Sequence, residues 1–346
     1  MNKKRNKKVL VSGYIGFNNF GDEAIFTVLC DNLKKQNCEI TAITASPETT
    51  AKTYNVKTCK TFNVLQIIRE VISCNLLISG GGSLLQDKTS TKSLFYYLFI
   101  ILCAKLFGKK VIIFAQGIGP LNKKISLITT QFTLKLCNLI NVRDEKSFRL
   151  LKDWGISSIL LPDPVFNYNL PAYDPQKNIG IQLRDWKDLN EEFLDELAKN
   201  ISQNFENYKI LIFSFQDSLD INICRTFRDK IQKINPNIQT EIITNSTTPI
   251  ELLNKFKTLE YLISMRFHAC LLALKFGIKT LAINYDDKVE KLADEAKIPF
   301  INLDKKYELQ SKIQEMKQLK PQDLLKYANH KNYNFDIINN LICNLK

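Results

Sequence analysis

Short β-type apolar runs alternate with longer helical runs along most of the chain, and this alternation constrains the fold more than any other feature. The run Lys8–Ser12, for example, is followed by the helical segment Asp22–Lys35. The alternation pauses near the middle of the chain, begins again at Asn178 and continues to Leu303. Strands that are joined through helices run parallel and are covered on both faces. The sequence therefore predicts an α/β protein with two Rossmann-like parallel-sheet domains.

Prolines separate the two halves of this pattern. Pro162, Pro164, Pro171 and Pro175 interrupt the periodic runs, as is typical of a connection between domains. We therefore expect an N-terminal domain over residues 1–168 and a C-terminal domain over residues 177–320. The remaining residues, 321–346, are predicted to form one helix, Pro321–Leu345, that crosses back over both domains.

The chain is strongly basic. It has 48 lysines and arginines against 35 aspartates and glutamates, which gives a formal charge of +13 at pH 7. Such a charge suits an anionic partner: nucleic acid, an acidic lipid surface or a phosphorylated substrate. No nucleic-acid-binding motif accompanies the basic residues, so we do not expect nucleic acid as a partner. The basic block at residues 3–8 is interpreted as a solvated start to the first strand.

Cysteine usage and hydropathy favour a cytoplasmic protein. The nine cysteines form no C-x-x-C pair and lie mostly in apolar runs, as small buried side chains do in a reducing compartment. The basic N-terminus runs straight into Val9 without the apolar core of a secretory signal. The longest apolar stretch, Leu94–Phe107, is too short for a bilayer of about 30 Å. It is predicted to be a buried core helix.

The first strand is followed by a glycine- and asparagine-rich turn at residues 12–24. Glycine and asparagine tolerate the positive φ angles that such a turn needs, and Gly16, Asn19 and Gly21 are candidate residues of a binding cleft. The turn should present backbone amides at the carboxyl edge of the sheet. It is not G-x-G-x-x-G, and no P-loop motif occurs, so a dinucleotide or P-loop site is disfavoured. Asp22 is predicted to cap the following helix, and Glu23 to favour its dipole.

Two further glycine-bearing loops follow predicted strands. The first, residues 79–87, carries Gly81, Gly82, Gln86 and Asp87, and its glycines allow a ligand to approach the main chain closely. The second, residues 115–120, carries Gln116 and Gly117. Because the carboxyl ends of parallel strands meet at one edge, the three loops are predicted to converge on a cleft that binds an anion or a sugar.

Cationic side chains and a histidine occupy similar positions. Arg266 and His268 follow the apolar run Leu259–Ile263, Arg143 follows Leu139–Val142, and Lys288 follows a later strand. We predict that these four residues share the cleft, where fixed cations would bind a substrate that carries phosphate and carboxylate. Two structural alternatives stay open: a packing role for His268, and a salt bridge from Arg143 to Asp144 or Glu145.

A zinc site is not expected, and no metal site is predicted. The chain has two histidines, His268 and His330, and lacks H-x-x-x-H motifs or paired cysteines. Magnesium bound by carboxylates stays open.

Taken together, these motifs resemble those of the polysaccharide pyruvyl transferases, of the CsaB type that modifies bacterial cell-wall polymers. The similarity is dense and spans nearly the whole chain. The segments that carry it are residues 12–24, 79–90, 115–121, 142–147, 163–165, 182–186, 264–269 and 285–289. The sequence departs from the family pattern at Phe267, where leucine is usual, and at Asp287, where proline is usual.

The resemblance implies a fold, an activity and residue roles. It implies a GT-B-like fold, with two Rossmann-like domains flanking a cleft and the acceptor bound on the N-terminal side and the donor on the C-terminal side. The implied donor is phosphoenolpyruvate, a co-substrate that needs no further cofactor, and the implied product is a pyruvate ketal on a sugar such as N-acetylmannosamine. His268 would be the general acid/base. Arg143, Arg266 and Lys288 would bind the donor, and the N-terminal loops would bind the acceptor.

Two other functions stay open at this stage. A GT-B glycosyltransferase that uses a nucleotide sugar would share the architecture, and an inactive glycan- or anion-binding module would share the loops. If the acceptor is a lipid-linked saccharide, the net positive charge could also hold the protein against the anionic inner membrane face. The sequence does not identify the acceptor sugar, the linkage or the oligomeric state.

Overall fold

The computed structural model describes residues 7–244, 249–303 and 308–345. This part of the chain forms two compact units. The first unit runs to Tyr168 and takes in the C-terminal segment from Tyr333, and the second unit is Asn169–Asn332. The boundary therefore falls inside the proline-spaced stretch.

The first unit contains a seven-stranded parallel sheet in the order β3-β2-β1-β4-β5-β6-β7. Its strands are β1 Lys8–Ser12, β2 Glu39–Thr44, β3 Lys57–Lys60, β4 Leu76–Gly80, β5 Lys110–Gln116, β6 Leu139–Val142 and β7 Ile159–Leu160. Its connecting helices are α1 Phe20–Lys35, α2 Pro47–Tyr54, α3 Val64–Ser73, α4 Thr91–Leu106, α5 Lys124–Lys135 and α6 Glu145–Asp153. Because parallel crossovers are right-handed, α3, α4 and α5 cover one face of the sheet, and α1 and α2 cover the other.

The second unit contains a six-stranded parallel sheet in the order β10-β9-β8-β11-β12-β13. Its strands are β8 Asn178–Gln182, β9 Lys209–Phe213, β10 Thr240–Ile243, β11 Leu259–Ser264, β12 Lys279–Asn284 and β13 Phe300–Asn302. Its helices are α7 Glu191–Asn204, α8 Asp217–Ile234, α9 Pro249–Phe256, α10 Phe267–Phe276, α11 Asp287–Ala296, α12 Leu309–Gln318 and α13 Pro321–His330. A last helix, α14 Asp336–Cys343, belongs to the first unit.

Each sheet reverses its strand order at one point, between β1 and β4 in the first unit and between β8 and β11 in the second. The strand ends are aligned there: Ser12 pairs in register with Ser79, and Gln182 pairs with Ser264. In open α/β sheets, ligands bind outside the carboxyl ends of the strands at such reversals. The fold therefore places one candidate edge in each unit, and each unit has its own apolar core.

Three parts of the prediction need correction. Helix α2 and the edge strand β3 were not predicted, because α2 buries only Thr50 and Tyr54 and β3 buries only Cys59, so neither shows a clear apolar period. Helix α12 was also missed. The single helix Pro321–Leu345 was wrong: α13 ends at His330, and a non-helical segment separates it from α14.

Tyr333 explains why the helix breaks. Its side chain is 1% exposed, and its hydroxyl donates to Asn141 Oδ1 at 2.5 Å. Its backbone amide donates to Asn167 Oδ1 at 2.8 Å, and its carbonyl accepts from Asn167 Nδ2 at 3.0 Å. A helical backbone would use these backbone groups within the helix, so the buried tyrosine and the continuous helix are alternatives.

The apolar run Leu94–Phe107 is not a buried core helix on all sides. Leu94, Leu98 and Ile101 of α4 are buried, but Phe95, Phe99 and Leu106 are 37%, 41% and 83% exposed. The inward face was predicted correctly, and the outward face was not. No helix of the described ranges is long and apolar enough to span a bilayer.

Candidate functional site

The three glycine-bearing loops lie side by side at the carboxyl edge of the first sheet. The amide of Gly117 donates to the carbonyl of Gly82 at 2.9 Å, and the amide of Gly119 donates to the carbonyl of Leu85 at 2.8 Å. A Cβ atom on Gly82, where φ is +77°, would lie 2.4 Å from Asp22 Oδ1 of the first loop. The predicted convergence of the three loops within the first unit is therefore confirmed.

The first loop is supported from below by Glu23. This residue is 8% exposed, and its Oε1 accepts from the Gly16 amide at 2.7 Å while Oε2 accepts from the Tyr54 hydroxyl at 2.6 Å. Burial raises the pKa of the Glu23 carboxyl above its ordinary value, and the bonds from Tyr54 and Gly16 oppose that shift. Both carboxylate oxygens are engaged inside the protein, so Glu23 shapes the loop.

Asn19, rather than Asp22, caps the first helix. The Asn19 side chain accepts from the Gly21 amide at 3.1 Å, and α1 begins at Phe20. The prediction that Asp22 is the N-cap was therefore wrong. Asp22 lies in the first turn, where its carboxylate favours the helix dipole and reaches over Gly82.

Asp87 and Gln86 hold the second loop. Asp87 Oδ1 accepts from the Asn122 amide at 2.7 Å, and Oδ2 accepts from the Lys123 amide at 2.9 Å. The Asn122 amide is the main reason that the pKa of Asp87 is lowered. Gln86 Oε1 accepts from the Thr89 amide at 3.0 Å, and its Nε2 contacts the Thr89 hydroxyl. These contacts fix the loop's conformation.

Buried polar atoms lie beneath the loops, at the ends of β1, β4 and β5. Gln116 is 0% exposed, and its Nε2 donates to Ser79 Oγ at 3.3 Å. Within the described ranges, Gln116 Oε1 and Ser12 Oγ have no hydrogen-bond partner. Unsatisfied buried polar groups are rare in folded proteins and call for an explanation such as a bound water or ligand. The sequence indicated Gln116 as a candidate site residue, and the structure adds Ser12 and Ser79 to the same cluster of buried polar side chains.

Arg143 forms a buried ion pair at the same edge. Its Nη1 lies 2.6 Å from Asp163 Oδ2, and the two side chains are 8% and 2% exposed. Asp163 also accepts from the Val165 amide at 3.0 Å through Oδ1. The sequence left open a salt bridge from Arg143 to Asp144 or Glu145. In the structure Arg143 pairs with Asp163, whereas Asp144 caps α6 and Glu145 pairs with Arg149.

In the second unit, Gln182 organises the turn between β11 and α10. Gln182 is fully buried at the end of β8, and its Oε1 accepts from the Arg266 amide at 2.8 Å and from the Ser264 hydroxyl at 3.1 Å. Its backbone carbonyl accepts from the Met265 amide at 3.0 Å. The turn that carries Arg266 and His268 is therefore fixed from the neighbouring strand.

Asp220 fixes the guanidinium of Arg266. Arg266 Nε donates to Asp220 Oδ2 at 3.0 Å, and Nη2 donates to Asp220 Oδ1 at 2.6 Å. Asp220 is 0% exposed, and its Oδ2 also accepts from the amides of Phe215 and Gln216, each at 3.1 Å. This bidentate pair leaves the guanidinium in one orientation. Sequence reasoning missed Asp220 because it lies inside α8, far from Arg266 along the chain.

His268 and Lys288 occupy the first turns of neighbouring helices. His268 is the second residue of α10, and Arg266 precedes that helix without a side-chain cap. Lys288 is the second residue of α11, whose N-cap is Asp286. Since β11 and β12 are adjacent, both helices begin at the same edge of the sheet. The structure thus brings Arg266, His268 and Lys288 to one edge of the second unit, whereas Arg143 belongs to the first unit.

Arg184 adds a cation to the second unit's edge. It follows β8, and its guanidinium carbon lies 5.3 Å from the ring centre of Trp186 and 5.8 Å from that of Tyr285. Its Nη1 lies 3.5 Å from the Tyr285 hydroxyl, and the two rings pack edge to face. Neighbouring aromatic rings restrain an arginine without neutralising its charge. The match at residues 182–186 was the only sequence signal for this residue.

The described residues do not cluster as metal ligands: no group of three or more histidine, cysteine, aspartate or glutamate side chains among them could hold a metal ion.

Comparison with solved structures identifies the fold. UDP-N-acetylglucosamine 2-epimerase from Neisseria meningitidis, bound to UDP-GlcNAc, is 14% identical and aligns over 97% of this chain and 98% of its own, with a TM-score of 0.62. A glycosyltransferase from Rickettsia africae ESF-5 is 11% identical over 99% and 100% of the two chains, with a TM-score of 0.60. Anabaena Alr3699/HepE, in complex with UDP and glucose, is 9% identical over 98% of each chain, with a TM-score of 0.62. The predicted GT-B-like fold with two Rossmann-like domains is confirmed.

No curated protein matches the chain in sequence. A family model, in contrast, matches residues 19–287, and its description is polysaccharide pyruvyl transferase. This range contains both glycine-rich loops after β4 and β5, Arg143, and the Arg266–His268 turn, and it ends one residue before Lys288. The chain therefore belongs to the polysaccharide pyruvyl transferase family.

Proposed function

We propose that the protein transfers a pyruvyl group from phosphoenolpyruvate to two hydroxyls of one sugar, forms a cyclic ketal and releases phosphate. Membership of the family supports pyruvyl transfer to a polysaccharide. The choice of donor rests on one observation, the edge of the second unit. There Asp220 holds Arg266 through two hydrogen bonds. Arg266 precedes His268, which lies in the first turn of α10, and no side chain caps that helix. An anion such as the donor phosphate is stabilised by helix N-terminal amides and by a fixed guanidinium.

Arg266 and Lys288 bind the donor in this proposal. Phosphoenolpyruvate carries a phosphate and a carboxylate, so it needs more than one cation in fixed geometry. Asp220 orients Arg266 at no cost during the reaction, because the pair exists before the donor arrives. The departure at Asp287 places a carboxylate next to Lys288, and Asp287→Pro, which restores the usual family residue, tests whether that carboxylate weakens donor binding. Arg143 of the first unit keeps its predicted donor role, which Arg143→Lys tests separately.

His268 transfers the proton. The methylene carbon of the donor gains a proton and becomes a methyl group, and the central carbon acquires oxocarbenium character. One sugar hydroxyl attacks that carbon and loses its proton. The bond to the phosphate oxygen then breaks, and the second hydroxyl closes the ketal as its proton leaves. A positioned histidine contributes about 10²–10⁴-fold to such steps.

The acceptor is a glycan or a lipid-linked saccharide, in which N-acetylmannosamine is the first sugar to test, as in enzymes of the CsaB type. The glycine-bearing edge of the first unit supports this part of the proposal, because glycine loops at the carboxyl ends of strands let a ligand approach the main chain closely. A nucleotide-sugar glycosyltransferase is the less favoured candidate. The UDP-bound structures resemble this chain at 9–14% identity, which supports a shared fold and no residue of a nucleotide site.

The test measures phosphate release from phosphoenolpyruvate with N-acetylmannosamine-terminated acceptors for His268→Ala and His330→Ala. His330 is the matched control: it is the other histidine of the chain, it is exposed, and its Nδ1 contacts only the Lys326 carbonyl at 2.6 Å. We expect a loss of about 10²–10⁴-fold in kcat for His268→Ala and none for His330→Ala. Full turnover by His268→Ala would refute the assigned role.

A further inference from the structure

Exposed apolar side chains are concentrated on one face of the first unit. Twelve of the eighteen large hydrophobic residues exposed in the described ranges lie between residues 62 and 136. They lie on or next to three helices that cover the same face of the sheet, where α4 packs against both α3 and α5. The most exposed member of each helix is Leu65 at 82%, Leu106 at 83% and Phe132 at 58%. Monomeric proteins seldom expose such contiguous apolar surface without using it.

Helix α5 is inverted with respect to an ordinary surface helix. Its hydroxyl side chains Ser126, Thr130 and Thr133 are 0% exposed, whereas Ile125, Ile128 and Phe132 are 56%, 49% and 58% exposed. The exposed residues follow the three- and four-residue spacing of one helix face. A helix that only had to pack on the sheet would turn its apolar residues inward. The inversion indicates that the outward face contacts an apolar environment.

Lysines surround this apolar surface, and α4 and α5 carry no acidic residue; the one carboxylate on α3 is Glu70. Between Asp87 and Asp144 the sequence has no aspartate or glutamate and nine basic residues. Lys92 and Lys124 lie at the start of α4 and α5, and Lys110 and Lys135 lie near their ends; all four are exposed. Lys105 and Lys109 donate to the neutral oxygens of Asn138 and Ile72, at 3.0 and 2.6 Å, so these contacts leave their positive charge uncompensated.

We propose that this basic apolar face, formed by the outward residues of α3, α4 and α5 with the lysines at the ends of α4 and α5, docks on an anionic lipid bilayer. The aromatic and aliphatic side chains enter the interfacial region, and the lysines meet the headgroups. The net charge favours an anionic membrane but does not identify the surface that would contact it, and the basic apolar face is that surface in this proposal. It is compatible with a lipid-linked acceptor but does not depend on the proposed chemistry, because its test measures binding.

Charge decides against a second copy of the chain as the occupant. A two-fold dimer interface is isologous, so the same patch of both copies would meet. The lysines of one copy would then face the lysines of the other, with no acidic residue of the stretch between Asp87 and Asp144 to compensate them. An anionic bilayer supplies the missing negative charge.

The test is sedimentation of the full-length chain with vesicles of phosphatidylcholine alone or with about one third phosphatidylglycerol, at low and at physiological salt. Two triple variants remove apolar side chains from the face, Phe95→Ser/Phe99→Ser/Leu106→Ser and Ile125→Ser/Ile128→Ser/Phe132→Ser. A third variant, Lys92→Gln/Lys124→Gln/Lys135→Gln, removes charge. The matched controls lie in the second unit: Leu219→Ser/Ile234→Ser/Ile250→Ser, with exposures of 45%, 47% and 48%, and Lys199→Gln/Lys320→Gln/Lys326→Gln, which are exposed.

We expect the native chain to bind the anionic vesicles, less tightly as salt rises, and to bind neutral vesicles weakly. Each apolar or charge variant of the face should lower the partition coefficient by at least about tenfold, and neither control should change it by more than about twofold. Absence of binding by the native chain, or equal losses in face and control variants, would overturn the proposal. A dimer that the α5 variant dissociates, without vesicle binding, would assign the face to self-association instead.

Discussion

Removing Asp220 should destabilise the second unit strongly, because it leaves a buried positive charge without its partner. Asp220 is 0% exposed, the Arg266 side chain is 11% exposed, and the carboxylate accepts two hydrogen bonds from the guanidinium and two from backbone amides. Breaking a buried pair by removing one partner costs about 3–5 kcal/mol. With a urea dependence of about 2 kcal/mol/M, Asp220→Ala should lower the unfolding midpoint by roughly 2 M.

The two tryptophans make this measurement specific to one unit. Trp154 lies in the first unit and Trp186 in the second, so a Trp154→Phe background leaves Trp186 as the only tryptophan reporter. The double variant Asp220→Ala/Arg266→Met removes both charges and should be more stable than Asp220→Ala alone, although it carries one more substitution. A midpoint shift below about 0.5 M for Asp220→Ala, or strictly additive losses in the double variant, would refute the reasoning.

Four further outcomes are expected. Arg184→Met should raise the KM for phosphoenolpyruvate more than it lowers kcat, since the residue supplies a restrained cation at the edge of the second sheet, and an unchanged KM in steady-state assays would remove it from donor binding. Gly82→Ala should lower the thermal midpoint by several degrees, because its Cβ would lie 2.4 Å from Asp22 Oδ1 at a φ of +77°, whereas Gly108→Ala, with nothing within 4 Å at a φ of +68°, isolates the strain of positive φ alone. Burial lowers the pKa of Lys275 to about 8 from its ordinary value of 10.5, so between these two pH values the unfolded chain binds one more proton than the folded chain. The free energy of unfolding of the native chain should therefore rise with pH across that window, and the rise should be smaller in Lys275→Met. In native protein a disulfide reagent should modify exposed Cys343 first and leave Cys270 unmodified until unfolding, because burial raises the pKa of the Cys270 thiol to about 12; rapid native labelling of Cys270 by mass spectrometry would contradict this.

The sequence predicted the elements whose residues follow a strong period. Strands β1 and β6 coincide with the predicted runs Lys8–Ser12 and Leu139–Val142, and β11 extends the run Leu259–Ile263 by one residue. Strand β3 and helix α2 were missed because they bury few side chains. The C-terminal helix was predicted too long because no local sequence signal shows that Tyr333 is buried in the first unit. Tertiary packing decided those elements.

The candidate site was predictable in position but not in its internal contacts. The carboxyl-edge rule placed the glycine-bearing loops and the Arg266–His268 turn correctly within their units, since it depends only on strand order. The partners Asp220 and Asp163 are separated from their arginines by 46 and 20 residues, so no local pattern could pair them. The functional roles of His268, Arg143, Arg266 and Lys288 stay predictions.

One experiment tests ketal-forming pyruvyl transfer most directly. The protein is incubated in D₂O with phosphoenolpyruvate and an N-acetylmannosamine-terminated acceptor, and the products are followed by phosphate assay, mass spectrometry and NMR. The account predicts one phosphate released per ketal formed and one solvent deuteron in the new methyl group, since that carbon takes its third hydrogen from the enzyme. Phosphate release without a ketal on the sugar, or a ketal methyl group without deuterium, would contradict it.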